Sequence, residues 1–121
     1  MKKFIEQVFH NEGRKLENLN FIFCTDRRLL KINKDYLDHD YYTDIITFEL
    51  SEPRSAVIGE VYISIDRVRQ NAQLLQQSYK SEIHRVIFHG VLHLCGYSDK
   101  NNTQKLKMRK AEEKLLAAYF K

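Results

Sequence analysis

Near the N-terminus Phe4, Ile5, Val8 and Phe9 recur at helical spacing, so residues 3–16 are predicted as a first helix, with Gly13 as its weakening or stop signal. Residues 19–24, Leu-Asn-Phe-Ile-Phe-Cys, are dense in aromatic and β-branched side chains and short enough for a strand. Thr25 or Asp26 can then cap a helix that carries Leu29, Leu30 and Ile32. Residues 38–42 show no period and read as a loop into a second strand at residues 43–50, after which Pro53 marks a turn. Residues 57–65 alternate: Val57, Gly59, Val61, Ile63 and Ile65 face one way, and Ile58, Glu60, Tyr62 and Ser64 the other, which predicts a third strand.

Asp66 is the expected cap of a helix running to about residue 77. Ser81 and Glu82 open another, in which Ile83, Val86, Ile87, Phe88, Val91, Leu92, Leu94 and Cys95 leave almost no polar face, so this helix is predicted to be buried. Gly96 is its natural stop. A charged amphipathic helix follows the polar residues 101–103 and is expected to bury Leu106, Leu115, Leu116, Tyr119 and Phe120. Strands and helices interleaved in this way give an α+β fold with about five helices.

At 121 residues and 43% hydrophobic content, the chain is long enough for one core, and residues 1–121 are expected to form a single domain. Lysine and arginine exceed the acidic residues by 20 to 16, and the resulting charge of +4 favours polyanionic partners. The cations cluster at Arg27, Arg28, Lys31 and Lys34, at Arg67 and Arg69, and at Lys105, Lys107, Arg109 and Lys110, where solvated helix faces account for them as well as phosphate contacts do. The N-terminus lacks the apolar stretch of a signal peptide or membrane span, which places the expected location in the cytoplasm. Cys24 and Cys95 are too few for a disulfide scaffold and are expected to be free thiols.

The chemistry sits inside the buried helix. His89 and His93 are four residues apart, a rotation of about 400° and a rise of about 6 Å, so both imidazoles leave one face, a turn apart. Gly96 can adopt the left-handed conformation that turns the chain back and lets Asp99 reach the same point. Either histidine alone is most simply a hydrogen-bonded core residue; the set HxxxHxxGxxD reads as a metal site at the end of the helix. Two nitrogens and one carboxylate leave a fourth tetrahedral position for water, as in catalytic zinc sites, and zinc lowers the pKa of such a water from about 15.7 towards 7. One zinc per chain is expected, held by His89, His93 and Asp99 as the catalytic residues; non-haem iron suits the same donors. His84 lies about 140° round the wheel from His89, and Cys95 about 200° from His93, which excludes both. The His, His and Gly spacing also occurs in HExxHxxGxxH zinc proteases, but Gly90 stands where their glutamate base would be, and a peptidase would need Glu49 or Glu60 instead.

The stretch His89-Gly-Val-Leu-His93-Leu-Cys-Gly96-Tyr97 resembles the HGxLHLxGY signature of the YbeY endoribonucleases, the ribosomal RNA maturation factors. Ile32-Asn33, Tyr36, Thr43-Asp44-Ile45-Ile46-Thr47-Phe48 and Gly59-Glu60-Val61-Tyr62-Ile63-Ser64 resemble the family's LNxxY, TDVLSF and GDIxIS segments, and the resemblance runs from about Leu19 to the C-terminus. It implies a small mixed sheet of three to four strands packed by helices, a zinc ion at the motif, and cleavage of single-stranded RNA in ribosome maturation and quality control. A ribosomal RNA precursor and the ribosome or its small subunit would then be partners of a monomer that does not engage membranes. Three departures stand out. Ser98-Asp99 replaces the Asp-His that ends the family signature, so metal identity is left open between zinc and iron. Leu37 occupies a position where the family carries an arginine for substrate binding. The chain starts almost in its first helix where the family starts with a strand, so an exposed sheet edge is expected. The competing readings are a ribosome-associated RNA-binding protein with a structural metal and a metallopeptidase.

Overall fold

The computed structural model describes residues 1–121. Its elements are α1 (Lys2–Asn11), β1 (Leu16–Cys24), α2 (Asp26–Leu37), β2 (Ile45–Glu49), β3 (Val57–Ser64), α3 (Ile65–Leu74), α4 (Tyr79–Leu94) and α5 (Asn102–Tyr119). The sheet runs in the order β1-β3-β2, with β1 parallel and β2 antiparallel to the central β3. This is the α+β fold with a mixed sheet that the sequence implied, built on three strands.

Local chemistry explains where the elements begin and end. Gly13, at φ +75°, closes α1: its N–H donates to the His10 carbonyl while Arg14 N–H donates to Phe9, the paired bonds of a Schellman turn. The helix therefore stops at Asn11 instead of residue 16. Strand β1 starts at Leu16 rather than residue 19, because Val57 N–H already bonds the Lys15 carbonyl. Thr25 caps α2 as expected, accepting from Arg28 N–H. The caps of α3 and α4 are Ser64 and Ser78, not Asp66 and Ser81, since a capping oxygen must precede the first turn to reach the N–H three residues on. Asp66 lies within that first turn and accepts instead from Asp26 N–H, at 2.9 Å, tying α3 to the start of α2. Arg67 reinforces this junction with a 2.7 Å ion pair to Asp26.

The alternation in β3 sorts the core into two layers. Val57, Val61 and Ile63 are fully buried against Ile5, Val8 and Phe9 of α1, Val68 of α3, and Val86, Phe88, Val91 and Leu94 of α4. On the opposite face Ile46 packs with Leu29 and Ile32 of α2. Each such burial stabilises the fold by roughly 1.5–3 kcal/mol. Helix α5 buries part of the expected stripe: Leu115, Leu116 and Tyr119 pack against the core, and Leu106 and Phe120 do not. Met108 and Glu112 are buried, with Leu115 and Tyr119 beside them, whereas Leu106 is 58% and Phe120 43% exposed. Residues 108, 112, 115 and 119 follow the 3.6-residue period that meets α4, and Leu106 lies about 200° away from Met108. Tyr119 completes the seam edge-on to Phe4 and Phe88.

Strand β1 pairs with β3 alone and lies at one edge of the sheet, its register shifted between Leu16 and Asn18. Both cysteines are free thiols, and burial pushes Cys95 up to about 12, which keeps its thiol protonated at neutral pH. No helix is long and apolar enough to cross a membrane.

Candidate metal centre

Helix α4 delivers His89 and His93 to one spot, their ring centroids 4.5 Å apart and nearly perpendicular. A second Schellman turn ends this helix: Gly96, at φ +104°, donates to His93, and Tyr97 N–H donates to Leu92. The reversed chain carries Asp99 back, so that its Oδ2 lies 3.3 Å from His89 Nε2 and 3.4 Å from His93 Nε2. One donor atom from each of the three residues lies within 4.8 Å of the others, a group that could hold a metal ion. All three residues singled out from the sequence are thus brought together, and Asp99 is the most open of them, with 39% of its side chain exposed. His84 is absent from this cluster; its ring bonds the Lys80 carbonyl and stacks on Tyr119.

The ring nitrogens facing away from the cluster determine what the other two can do. His93 Nδ1 lies 2.9 Å from the Tyr97 carbonyl, which only accepts, so Nδ1 donates and Nε2 keeps its lone pair for the site. His89 Nδ1 meets Glu112 Oε2 at 2.5 Å. Glu112 is 2% exposed. Burial works to raise its pKa, but the hydrogen bond and charge of His89, with Arg85 beside it, outweigh burial and hold the carboxyl below its ordinary range.

Arg85 anchors this second layer. It donates to Glu112 Oε1 at 3.0 Å and grips Glu82 with two bonds of 2.9 and 2.7 Å. Asp44 approaches the same guanidinium at 3.8 Å and accepts from Asn71. Burial raises the Asp44 carboxyl above its ordinary range despite the opposing pull of Arg85 and His89. Sequence reasoning singled out none of Glu82, Arg85 or Glu112. The available signal was a glutamate at the fourth position after Met108 in the buried stripe of α5, where an unpaired charge does not belong.

An open cleft of about 420 Å³ leads to the cluster, walled by Asn33 and Leu37 of α2, the loop residues His39 and Tyr41, and β2 with its approach. Asn33 is buried and donates to the Tyr41 carbonyl, which fixes the loop against α2. No lysine or arginine lines the cleft. The basic residues noted in the sequence lie outside it, and several are paired: Lys31 with Asp35, Lys34 with Asp40 and Arg67 with Asp26.

The Endoribonuclease YbeY family model matches residues 1–120. The chain belongs to the YbeY family. The match extends the resemblance upstream of Leu19 to the start of α1. A relative from Cytophaga hutchinsonii, named Endoribonuclease YbeY, is 47% identical over 117 residues, spanning 97% of this chain and 82% of its own. One of the same name from Porphyromonas gingivalis is 48% identical over 114 residues, covering 94% of this chain and 75% of its own. The solution structure of a protein from Thermotoga maritima superposes with a TM-score of 0.66 at 28% identity, across 98% of this chain and 80% of that one.

In this YbeY-family chain the residue after the first histidine has a structural reason to be glycine. A Cβ at Gly90 would stand 2.9 Å from Ile45 Cδ1 and 3.0 Å from Val61 Cγ1, so here α4 rests directly on the sheet. Position 90 faces the sheet and has no room for a base. The two alternative bases fail as well: Glu49 pairs with Arg14 at 3.1 Å, Glu60 accepts from Tyr62, and neither lines the cleft. Gly90→Glu is expected to force a charge into packed apolar contacts at a cost of roughly 3–5 kcal/mol. Thermal unfolding followed by circular dichroism should show Tm lowered by roughly 12–20 °C; an unchanged Tm would mean that α4 can move off the sheet.

Proposed function

We propose that this chain is a zinc-dependent endoribonuclease cutting single-stranded RNA, acting in the cytoplasm in ribosomal RNA maturation and ribosome quality control. His89, His93 and Asp99 hold one zinc ion and are the catalytic residues of a single domain, residues 1–121, working as a monomer. The observation that carries the reading is the convergence of two imidazole Nε2 atoms and one carboxylate at the end of an open cleft, in a chain of this family. The donor set fits: three protein ligands facing a cleft is the arrangement of catalytic zinc, whereas structural sites close with four. Zinc bound there would supply Lewis acidity toward a phosphate oxygen and make water a competent nucleophile at neutral pH.

The protein's own groups do the remaining work. The Tyr97 carbonyl and Glu112 hold both imidazoles with their lone pairs toward the cleft. Thr43 and Thr47 offer hydrogen bonds along the wall, and the stacked His39 and Tyr41 rings offer an aromatic surface to an unpaired base. Leu37 lines the cleft where the family's arginine is expected, so phosphate attraction falls to cations outside the walls. Their contribution is long-range and weakens with salt.

Purified protein supplied with zinc is expected to cut an unstructured RNA oligonucleotide and spare a duplex. Cutting should stop with a chelator, return with zinc, and fall as salt rises from 50 to about 200 mM. His93→Ala prepared identically should not cut. Equal cutting by both preparations would identify a contaminating nuclease and remove the reading.

A further inference from the structure

We infer that Glu112 is a positioning residue that locks His89 in the one tautomer able to bind a metal, and that Arg85 enforces this by fixing how the Glu112 side chain is divided between its partners. The inference rests on reading His89, His93 and Asp99 as the metal site.

The two histidines are anchored by different means. His93 Nδ1 bonds the backbone carbonyl of Tyr97, an acceptor that no side-chain change removes. His89 has only Glu112, which reaches it from the far side of the α4–α5 seam. The carboxylate is split: Oε2 serves His89 Nδ1 and Oε1 serves Arg85 Nη1. Arg85 cannot swing away, because Glu82, on the same helix and 1% exposed, holds its Nε and Nη2. Two carboxylates compete for the ring proton, and Glu112 Oε2, at 2.5 Å against 3.3 Å for Asp99 Oδ2, keeps it on Nδ1, which leaves the Nε2 lone pair for a metal and makes that nitrogen a stronger donor to it.

An amide at position 112 reverses this although its shape is nearly the same. Glutamine has one oxygen and one NH₂ to divide between the same two partners. A guanidinium only donates and is charged, so it takes the oxygen. The NH₂ then faces His89 Nδ1 and demands a lone pair there, which drives the imidazole proton onto Nε2, the atom aimed at Asp99. His93, anchored by backbone, is untouched. Glu112→Gln therefore disables one histidine of the pair by tautomer choice rather than by removing a ligand.

Nitrogen-15 shifts of the imidazoles in metal-free protein, at a pH where both rings are neutral, read this directly. Wild type is expected to carry the proton on Nδ1 in both rings. Glu112→Gln should move it to Nε2 in His89 alone, with His93 as internal control. Zinc affinity, measured by competition with a chromophoric chelator, should fall about 10- to 100-fold, while circular dichroism of the metal-free variant shows retained fold. Zinc affinity unchanged in a folded Glu112→Gln overturns the positioning role and leaves the metal reading standing. Nε2 protonation of His89 in wild type overturns it too, and needs no variant to fold. Failure of wild type to take up zinc despite Nδ1 protonation in both rings overturns the metal reading itself and, with it, the purpose assigned to the tautomer.

Discussion

Protein purified without added metal is expected to contain about one zinc per wild-type chain by inductively coupled plasma mass spectrometry, and His93→Ala and Asp99→Ala are each expected to contain none. The site has only three protein donors, gathered within 4.8 Å, so each removal leaves two, too few to hold a metal that favours four-coordination. Asp99→His serves as the contrast, since it keeps the donor count while changing one donor's type and should retain zinc. Occupancy should also fall in acid, because both imidazoles must be neutral to ligate. Binding to the folded state alone adds stability by mass action, about 4 kcal/mol at a thousandfold excess over Kd, so a chelator should lower Tm in wild type and leave His93→Ala unmoved. Properly folded wild type without metal would return both histidines to hydrogen-bonded roles in the core and leave the nuclease reading without its chemistry.

Much of this site was legible in the sequence because the information is local. The His89 and His93 pair follows from the helical period, and the return of Asp99 from a glycine able to take positive φ at position 96. The alternation of Val57, Val61 and Ile63 gave the inner face of β3 directly. What was not legible depends on how elements dock. Glu112 lies 23 residues from His89 and meets it only because α5 settles on α4 in the register that buries Met108. The helix pattern over residues 104–120 admits more than one apolar stripe, and Leu106 belongs to the wrong one. The capping shifts at Ser64 and Ser78 have a smaller cause: polar residues two or three apart can each be a cap, and only the direction of the first turn selects one. The absence of a cation from the cleft walls likewise could not be read from clusters of lysine and arginine, whose positions along the chain say nothing of which surface they occupy.

Arg85→Leu is expected to be the most destabilising single change in the second layer of the site, costing roughly 3–5 kcal/mol at pH 7 of the 5–15 kcal/mol typical of a whole domain. Glu82 and Glu112 are 1% and 2% exposed, so deleting the guanidinium strands two carboxylates where water cannot reach them. Acid should narrow the gap, for reasons of opposite sign in the two proteins. In wild type the Glu112 carboxyl is held below its ordinary value by His89 and Arg85 against the opposing effect of burial. Its stabilisation is therefore present above the unfolded-state value and lost as pH falls through the folded one. In Arg85→Leu the missing counter-charge makes protonation of the buried carboxyls the cheaper state, so that protein gains stability as pH falls. Urea unfolding at pH 7, at pH 5 and below the ordinary carboxylate range separates the two statements: the difference between the proteins should be large at pH 7, smaller at pH 5 through the gain in Arg85→Leu, and smaller again below the carboxylate range, where wild type loses its own share. A difference that stays constant would mean that the loss comes from the packing of the Arg85 stem, and that the buried charges are satisfied without it.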